Sequence, residues 1–258
     1  MSFSIILPTL NENGHIINLI ESISEIFNKK KIIFEIIIVD DNSTDGTVQN
    51  IKENKHRFNF LEIITRINIK KNLAESINEG IKKAKYENII WMDADFQHPP
   101  IYINEFIEKI KNHEVVIASR FLKDSERYFK KKEFKKDINE NQSFFFNKLC
   151  RLFLFKDITD YTSGFICIKK NLFNSFKLHG FYGDYFVSLI IFLKSKNVKI
   201  LEIPFTDDIR ASGSSKTIVN INFKYIYTCL RYFLTLIIAA IRIKVKKSDS
   251  KTSVGQMK

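Results

Sequence analysis

Apolar runs of strand length recur along the chain, with stretches of helical periodicity between them. The first, FSIIL (3–7), leads through a polar NEN into a helix whose apolar positions are Ile16, Leu19, Ile20, Ile23 and Phe27. EIIIV (35–39) follows, then DDNSTDG as a turn and a helix from Thr47 to Lys55. FLEII (60–64) precedes a helix over 73–85, NIIWM (88–92) a helix over 101–111, and EVVIA (114–118) ends the series. Strands that are apolar throughout, alternating with helices, predict an α/β fold with a mainly parallel sheet covered on both faces. Beyond it the pattern predicts a helix over 143–155, a strand FICI (165–168), a helix over 184–196 and a strand KILEIPF (199–205).

Two stretches break this rhythm. Residues 122–142 carry no apolar periodicity, Gly or Pro and read as a basic loop, whose Arg127 and lysines at 130–136 suit either lipid head groups or solvent. Residues 221–243 form an apolar run of 23 residues, the length of a membrane span, but Lys224 and Arg231 leave only 232–241 uncharged. A helix lying in the bilayer interface fits that pattern better, with a core-packing helix as the alternative. Residues 244–258 read as a basic disordered tail.

In parallel sheets ligands bind where strands end at their carboxyl termini. The polar clusters fall there: PTLNE after the first strand, DDNSTDG after the second, DADFQH after the fourth, and Ser119-Arg120 after the fifth. DDNSTDG serves equally well as a capped turn, with Ser43 or Asp45 ahead of a helix. Asp93 and Asp95 stand at i and i+2, which in an extended strand places both carboxylates on one face. Two close carboxylates repel unless a cation lies between them. Hard oxygen donors suit Mg²⁺ or Mn²⁺, which stabilises charge on a departing diphosphate. Gln97 or His98 would add a ligand or hold a phosphate. An Asp-x-Asp triplet alone is weak, and its surroundings have to carry the case.

The net charge of +12 over 258 residues favours an anionic partner, a nucleotide or an acidic membrane surface. It does not favour nucleic acid, since no base-reading motif accompanies it. Cys150, Cys167 and Cys229 show no metal spacing and fit a reducing cytoplasmic setting; the N-terminus reads as a strand, not a signal peptide. His15, His98 and His113 read as surface or helix-capping residues, and no His/Cys cluster suggests zinc.

The ordered motifs PTLNE (8–12), VDDNSTDGT (39–47), MDADFQHPP (92–100), SR (119–120), DYTSGF (160–165) and RASGSSK (210–216) resemble the family 2 glycosyltransferases. The similarity is greatest to the dolichol-phosphate mannosyltransferase-like branch, over residues 4 to about 216. That resemblance implies a GT-A type fold over 1–217, with a nucleotide-sugar half to about 120 and an acceptor half after it. It implies a GDP- or UDP-linked sugar donor, a polyprenyl phosphate acceptor and a site at the inner, cytoplasmic face of a membrane, the protein being peripheral or monotopic.

By the same resemblance Pro8, Leu10, Glu12, Val39 and Asp41 hold the nucleoside, while Asp93, Ala94, Asp95 and Gln97 form the metal and diphosphate site. Arg120 contacts phosphate, Arg210 and Lys216 close a basic loop over the diphosphate, and Ser143 and Ser163 lie on the acceptor side. Several positions depart from the pattern. Leu10 stands where a base-stacking tyrosine is usual, Asn72 and Ser76 replace a Gly and an Ala, Asn139 stands in place of an acceptor-side arginine, and Ile190 replaces a glutamate.

A lipid phosphate is already ionised and needs no general base, so transfer would proceed by direct, inverting attack. A hydroxyl acceptor would need one, and Asp184 is the candidate, unless it caps its helix. Two other classes remain on sequence grounds: a non-catalytic, membrane-tethered nucleotide-binding module, and a phosphoacceptor or phosphatase domain using VDD or DAD.

Overall fold

The computed structural model describes residues 1–123, 138–180 and 183–206. Seven strands form one sheet: β1 (Ser2–Thr9), β2 (Ile33–Asp40), β3 (Leu61–Thr65), β4 (Asn88–Trp91), β5 (Val115–Ser119), β6 (Ile166–Lys169) and β7 (Ile200–Pro204). Their order is β3-β2-β1-β4-β6-β5-β7. β1 pairs in parallel with β2 and β4, β2 with β3, and β5 with β7; β6 alone runs antiparallel, between β4 and β5. The expected mainly parallel sheet is present. Its one reversed strand has a consequence for function: the chain enters β6 at the edge where the six parallel strands end, so residues 160–165 are delivered to that same edge.

The period of two explains the layers. Phe3, Ile5 and Leu7 of β1 and Ile36 and Ile38 of β2 point to one face, where α1 (Ile16–Lys29), α2 (Thr47–Asn54) and α4 (Ile103–Lys109) cover them. Ile6, Ile37, Val39, Ile89 and Trp91 point to the other, under α3 (Leu73–Lys83), α5 (Ile138–Phe153) and α6 (Asp184–Ser195). Burial on both faces is why these strands carry apolar residues at nearly every position.

The helices match their expected positions with shifted ends. A short 3₁₀ turn at Pro100–Tyr102 precedes α4, since the ring of Pro100 pre-sets its first turn. α5 begins at Ile138, so the last residues of the expected 122–142 loop are helical. Expectations for 124–137, and for the apolar run 221–243 and the tail 244–258, lie outside the described residues. Among the described residues no helix is long and apolar enough to cross a membrane.

α3 approaches β1 closely because Gly80 has no side chain. A Cβ there would overlap Cγ2 of the fully buried Ile6 and lie 3.0 Å from its Cγ1. Gly80→Ala should therefore destabilise the chain: overpacking costs about 1–3 kcal/mol, against about 1 kcal/mol gained in helix propensity. A denaturant melt in which Gly80→Ala matches or exceeds wild type would refute this close contact.

Candidate active site

The loops at the carboxyl edge are built from side chains that satisfy each other. Asp40, the last residue of β2, accepts from Thr9 Oγ1 at 2.9 Å, from Ser43 N at 2.8 Å and from Ser43 Oγ. Asn11 N donates to Ser43 Oγ, and Asn11 Oδ1 accepts from Thr44 N, each at 2.8 Å. Asp45 accepts from the amides of Asn13 and Thr47. Much of DDNSTDG is thus loop architecture, with Gly46 as the N-cap residue of α2 at φ 90°. Asn11 and Asn42 take the left-handed conformation that asparagine tolerates.

Asp41 has a different partner. Its Oδ1 accepts from Arg66 Nη1 at 2.7 Å and its Oδ2 from Asn72 N at 2.6 Å. Arg66 Nη1 also donates to the Asn72 carbonyl at 3.1 Å and to Ser76 Oγ at 3.0 Å. Arg66 is 3 % exposed and its buried Nε has no hydrogen-bond partner. Sequence reasoning passed over Arg66; its place one residue beyond β3, at the ligand-binding edge, was the available signal. Of the two departures, Ser76 receives it through its side chain, whereas Asn72 does so only through its main-chain carbonyl.

Glu12 is buried, with His15 Nε2 2.9 Å from its carboxylate. Val39 is fully buried in the ladder between Pro8 and Ile64, and its side chain belongs to the core. Pro8 and Leu10 are partly exposed at the edge.

β4 ends at Trp91, so Asp93 and Asp95 lie in a loop and not on the extended pleat that their spacing suggested. The loop is tightly held. Asp93 N donates to His98 Nδ1 at 2.9 Å, Gln97 N donates to Asp95 Oδ1 at 3.1 Å, and Phe96 takes φ 63°. A positive φ at a bulky residue is a strained state, sustained only where the surroundings enforce it. The carboxylates differ in setting: the Asp93 side chain is 45 % exposed, whereas Asp95 is buried. Ala94 packs into the core beneath them. His98, at 4 % exposure, corrects the surface-or-capping expectation, because it is drawn inward by its aromatic neighbours. His15 is also buried, at 5 %, but it stands at the N-cap position of α1, one of the two places expected. His113 is half-buried, with Nδ1 2.9 Å from the Lys109 carbonyl.

Arg120 meets Asp160 through two parallel bonds, Nε to Oδ2 at 2.8 Å and Nη2 to Oδ1 at 2.9 Å, and Nη2 reaches Thr162 Oγ1 at 2.9 Å. Thr162 Oγ1 is also 3.3 Å from Ser143 Oγ and accepts from Asn147 Nδ2. The structure thus gathers Arg120 and Ser143 around one threonine. Ser163 is buried instead, its hydroxyl donating to the Ala118 carbonyl. Asp184 is the first residue of α6, buried, and Gly183 occupies the cap position; Tyr185 beside it accepts from Trp91 Nε1 at 3.1 Å. Arg210 and Lys216 lie outside the described residues. Burial pushes the Cys150 and Cys167 thiols far above their ordinary range, which leaves them without nucleophilic character.

A protein-family model described as glycosyl transferase family 2 matches residues 4–176. The chain belongs to that family. Dolichol-phosphate mannosyltransferase of Pyrococcus furiosus is 32 % identical over 228 residues, 88 % of this chain and 62 % of the relative. The Mycosarcoma maydis protein of the same name is 27 % identical over 232 residues, 87 % of this chain and 76 % of its own. Against the Pyrococcus protein the family 2 chain thus spans less than two thirds of its relative's length. Among solved structures, glucosyl-3-phosphoglycerate synthase from Mycobacterium tuberculosis, in complex with Mn²⁺, UDP and phosphoglyceric acid, superposes with TM-score 0.66 at 16 % identity. The match covers 93 % of this chain and 78 % of that one. Mannosyl-3-phosphoglycerate synthase from Rubrobacter xylanophilus gives 0.65 at 14 %, covering 96 % and 75 %. These likenesses establish the GT-A fold.

Beneath the Arg120 clamp lies a titrating group. Glu202 of β7 accepts from the amides of Thr159 and Asp160 and from Thr159 Oγ1. Burial pushes its carboxyl up to about 7, assisted by the neighbouring Asp160 charge and opposed by those amides. Burial acts the same way on Asp160, but the Arg120 guanidinium outweighs it and holds that carboxyl below its ordinary range. The folded chain therefore keeps the Glu202 proton at pH values where the unfolded chain, near its ordinary 4.5, has released it. The resulting stabilisation is present below about pH 4.5 and lost as pH rises through about 7. Unfolding free energy measured at pH 5, 6 and 7 should fall across that window, and Glu202→Gln should flatten the decline. A wild-type profile that rises there contradicts the assignment.

Proposed function

We propose that the chain transfers a sugar from a GDP- or UDP-linked nucleotide diphosphate donor to a polyprenyl phosphate, with inversion, at the cytoplasmic face of a membrane. The observation that carries this reading is the strained Asp93–Gln97 loop at the carboxyl edge of a sheet in a family 2 chain similar to dolichol-phosphate mannosyltransferases. Asp95 and the half-exposed Asp93 supply hard oxygen donors, and among the described residues no third His, Cys, Asp or Glu joins them. That donor set fits Mg²⁺ or Mn²⁺, ions bound through one or two carboxylates with phosphates and water completing the shell. Asp93, Asp95 and the side-chain amide oxygen of Gln97 would hold the ion, which when bound neutralises charge developing on the diphosphate. The structural neighbour carrying Mn²⁺ and UDP supports the same assignment.

The chain's own residues have the remaining tasks. Arg120, fixed by Asp160 and Thr162, keeps a cation at the edge beside Ser143, where an acceptor phosphate would be met by charge and hydroxyl together. Arg210 and Lys216 would cover the diphosphate and exclude water. The phosphate oxygen arrives ionised, so orientation and charge stabilisation suffice for direct attack at the anomeric carbon, with the diphosphate leaving on the opposite face. Asp184 has a part only if the acceptor is an alcohol.

Two measurements test this. Incubation with a radiolabelled sugar nucleotide and polyprenyl phosphate should give label in the organic phase that mild acid releases; label confined to a stable aqueous glycan would defeat the lipid-phosphate assignment. Asp95→Asn should lower turnover about 10²-fold or more, the scale of losing a charge-stabilising group, with the unliganded melting temperature within a few degrees. Unchanged turnover would remove Asp95 from the reaction, whereas cellular function that survives the loss of turnover would favour a non-catalytic binding module.

A further inference from the structure

The imidazole of His98 is placed unlike a surface histidine. Its ring lies 4.9 Å from that of Phe165 at an interplanar angle of 9°, a stack, and 5.7 Å from Phe205 edge-on. Gly164, at φ 71°, passes beside it; a Cβ there would lie 3.7 Å from His98 Cε1. Phe165 is in turn wedged against Phe106 of α4. The ring plane is thus set by the residues leading into β6 and by the core beneath.

In this orientation Nδ1 faces the main chain and accepts from Asp93 N at 2.9 Å. An acceptor at Nδ1 requires the neutral ring to carry its proton on Nε2. That nitrogen lies 4.0 Å from Asp93 Oδ2. One side chain therefore addresses both the amide and the carboxylate of the first aspartate. The peptide it grips stands three residues before Phe96, whose positive φ needs an enforcing contact.

We propose that His98 is a positioning residue: by accepting from the Asp93 amide it fixes the loop in the one conformation that presents Asp93 and Asp95 together to a cation-bound diphosphate. The stack on Phe165 couples that loop to β6, the reversed strand that also delivers Asp160 and Thr162 to Arg120. The role rests on the donor reading above for what the loop binds, but the hydrogen bond itself is independent of any ligand.

Asparagine places its amide oxygen where Nδ1 stands, whereas glutamine reaches toward Nε2, and both lose the stack equally. His98→Phe keeps the ring and loses the acceptor. In the full chain, the amide proton resonance of Asp93 should stay downfield in wild type and His98→Asn, and move upfield in His98→Gln and His98→Phe. Mn²⁺ titrated in the presence of GDP or UDP, followed by the single tryptophan, Trp91, should bind His98→Asn within about threefold of wild type. His98→Gln and His98→Phe should weaken about 10–100-fold, as loss of an outer-shell partner does. Equal Mn²⁺ affinity for the Asn and Gln variants, or an unmoved Asp93 resonance in His98→Phe, overturns the proposal; if Gln fails to fold, Phe still decides it. A wild-type chain that binds no Mn²⁺ with nucleotide, while the resonance follows the predicted split, sinks the donor reading and leaves the positioning bond standing.

Discussion

A charge that leaves water at the rim of a doubly covered sheet has to meet a partner there, and this requirement shapes the whole carboxyl edge. The central strands allow no polar side chain to emerge through their faces without a bond. Glu35 shows the rule inside the sheet: it accepts from Ser4 Oγ at 2.7 Å and from Lys85 N at 2.6 Å, with Lys85 Nζ at 3.0 Å. At the rim, Asp40 is satisfied by Thr9 and Ser43, Asp41 by Arg66 and Asn72, and Asp160 by Arg120. Each pairing ties one loop to the next.

That logic separates scaffold from site. Buried ion pairs contribute little net stability over apolar replacements, yet losing one member costs about 3–5 kcal/mol because the survivor is stranded. The Asp41–Arg66 and Asp160–Arg120 pairs therefore act as registers that hold loops in one arrangement. Asp93 differs in setting: its side chain is half in water, with His98 Nε2 4.0 Å from its carboxylate. Its neighbour Asp95 is turned inward, so the strained loop holds one carboxylate at the surface and one beneath it.

How much of this the chain disclosed before folding depends on the range of the interaction. Strand and helix positions were legible because each apolar run reports its own burial, and the parallel topology followed from their alternation. The polar clusters were legible as an edge because strand direction carries them there. What escaped were contacts between distant segments. Arg66 belongs to no motif along the chain, and only the fold sets it against Asp41, 25 residues earlier. His98 looked exposed beside two prolines, and only β6, inserted between β4 and β5, brings Phe165 beneath its ring. The i, i+2 argument for Asp93 and Asp95 assumed a pleat that stops at Trp91; the two residues share a loop for a different reason, the bonds made by His98 and Gln97.

The departures from the family pattern become intelligible in the same terms. An alanine at 76 would leave Arg66 one acceptor fewer, since Ser76 Oγ receives it directly, whereas a glycine at 72 would keep the carbonyl that Arg66 meets. What the Asn72 side chain adds is a cap on α3, accepting from Glu75 N at 3.1 Å. The Asn72 side chain thus serves the helix while its main chain serves the ion pair, so the change at 76 acts on the Arg66 network and the change at 72 on the start of α3. A network that engages both oxygens of Asp41 fixes that carboxylate in place, so that it cannot reorient without breaking a bond.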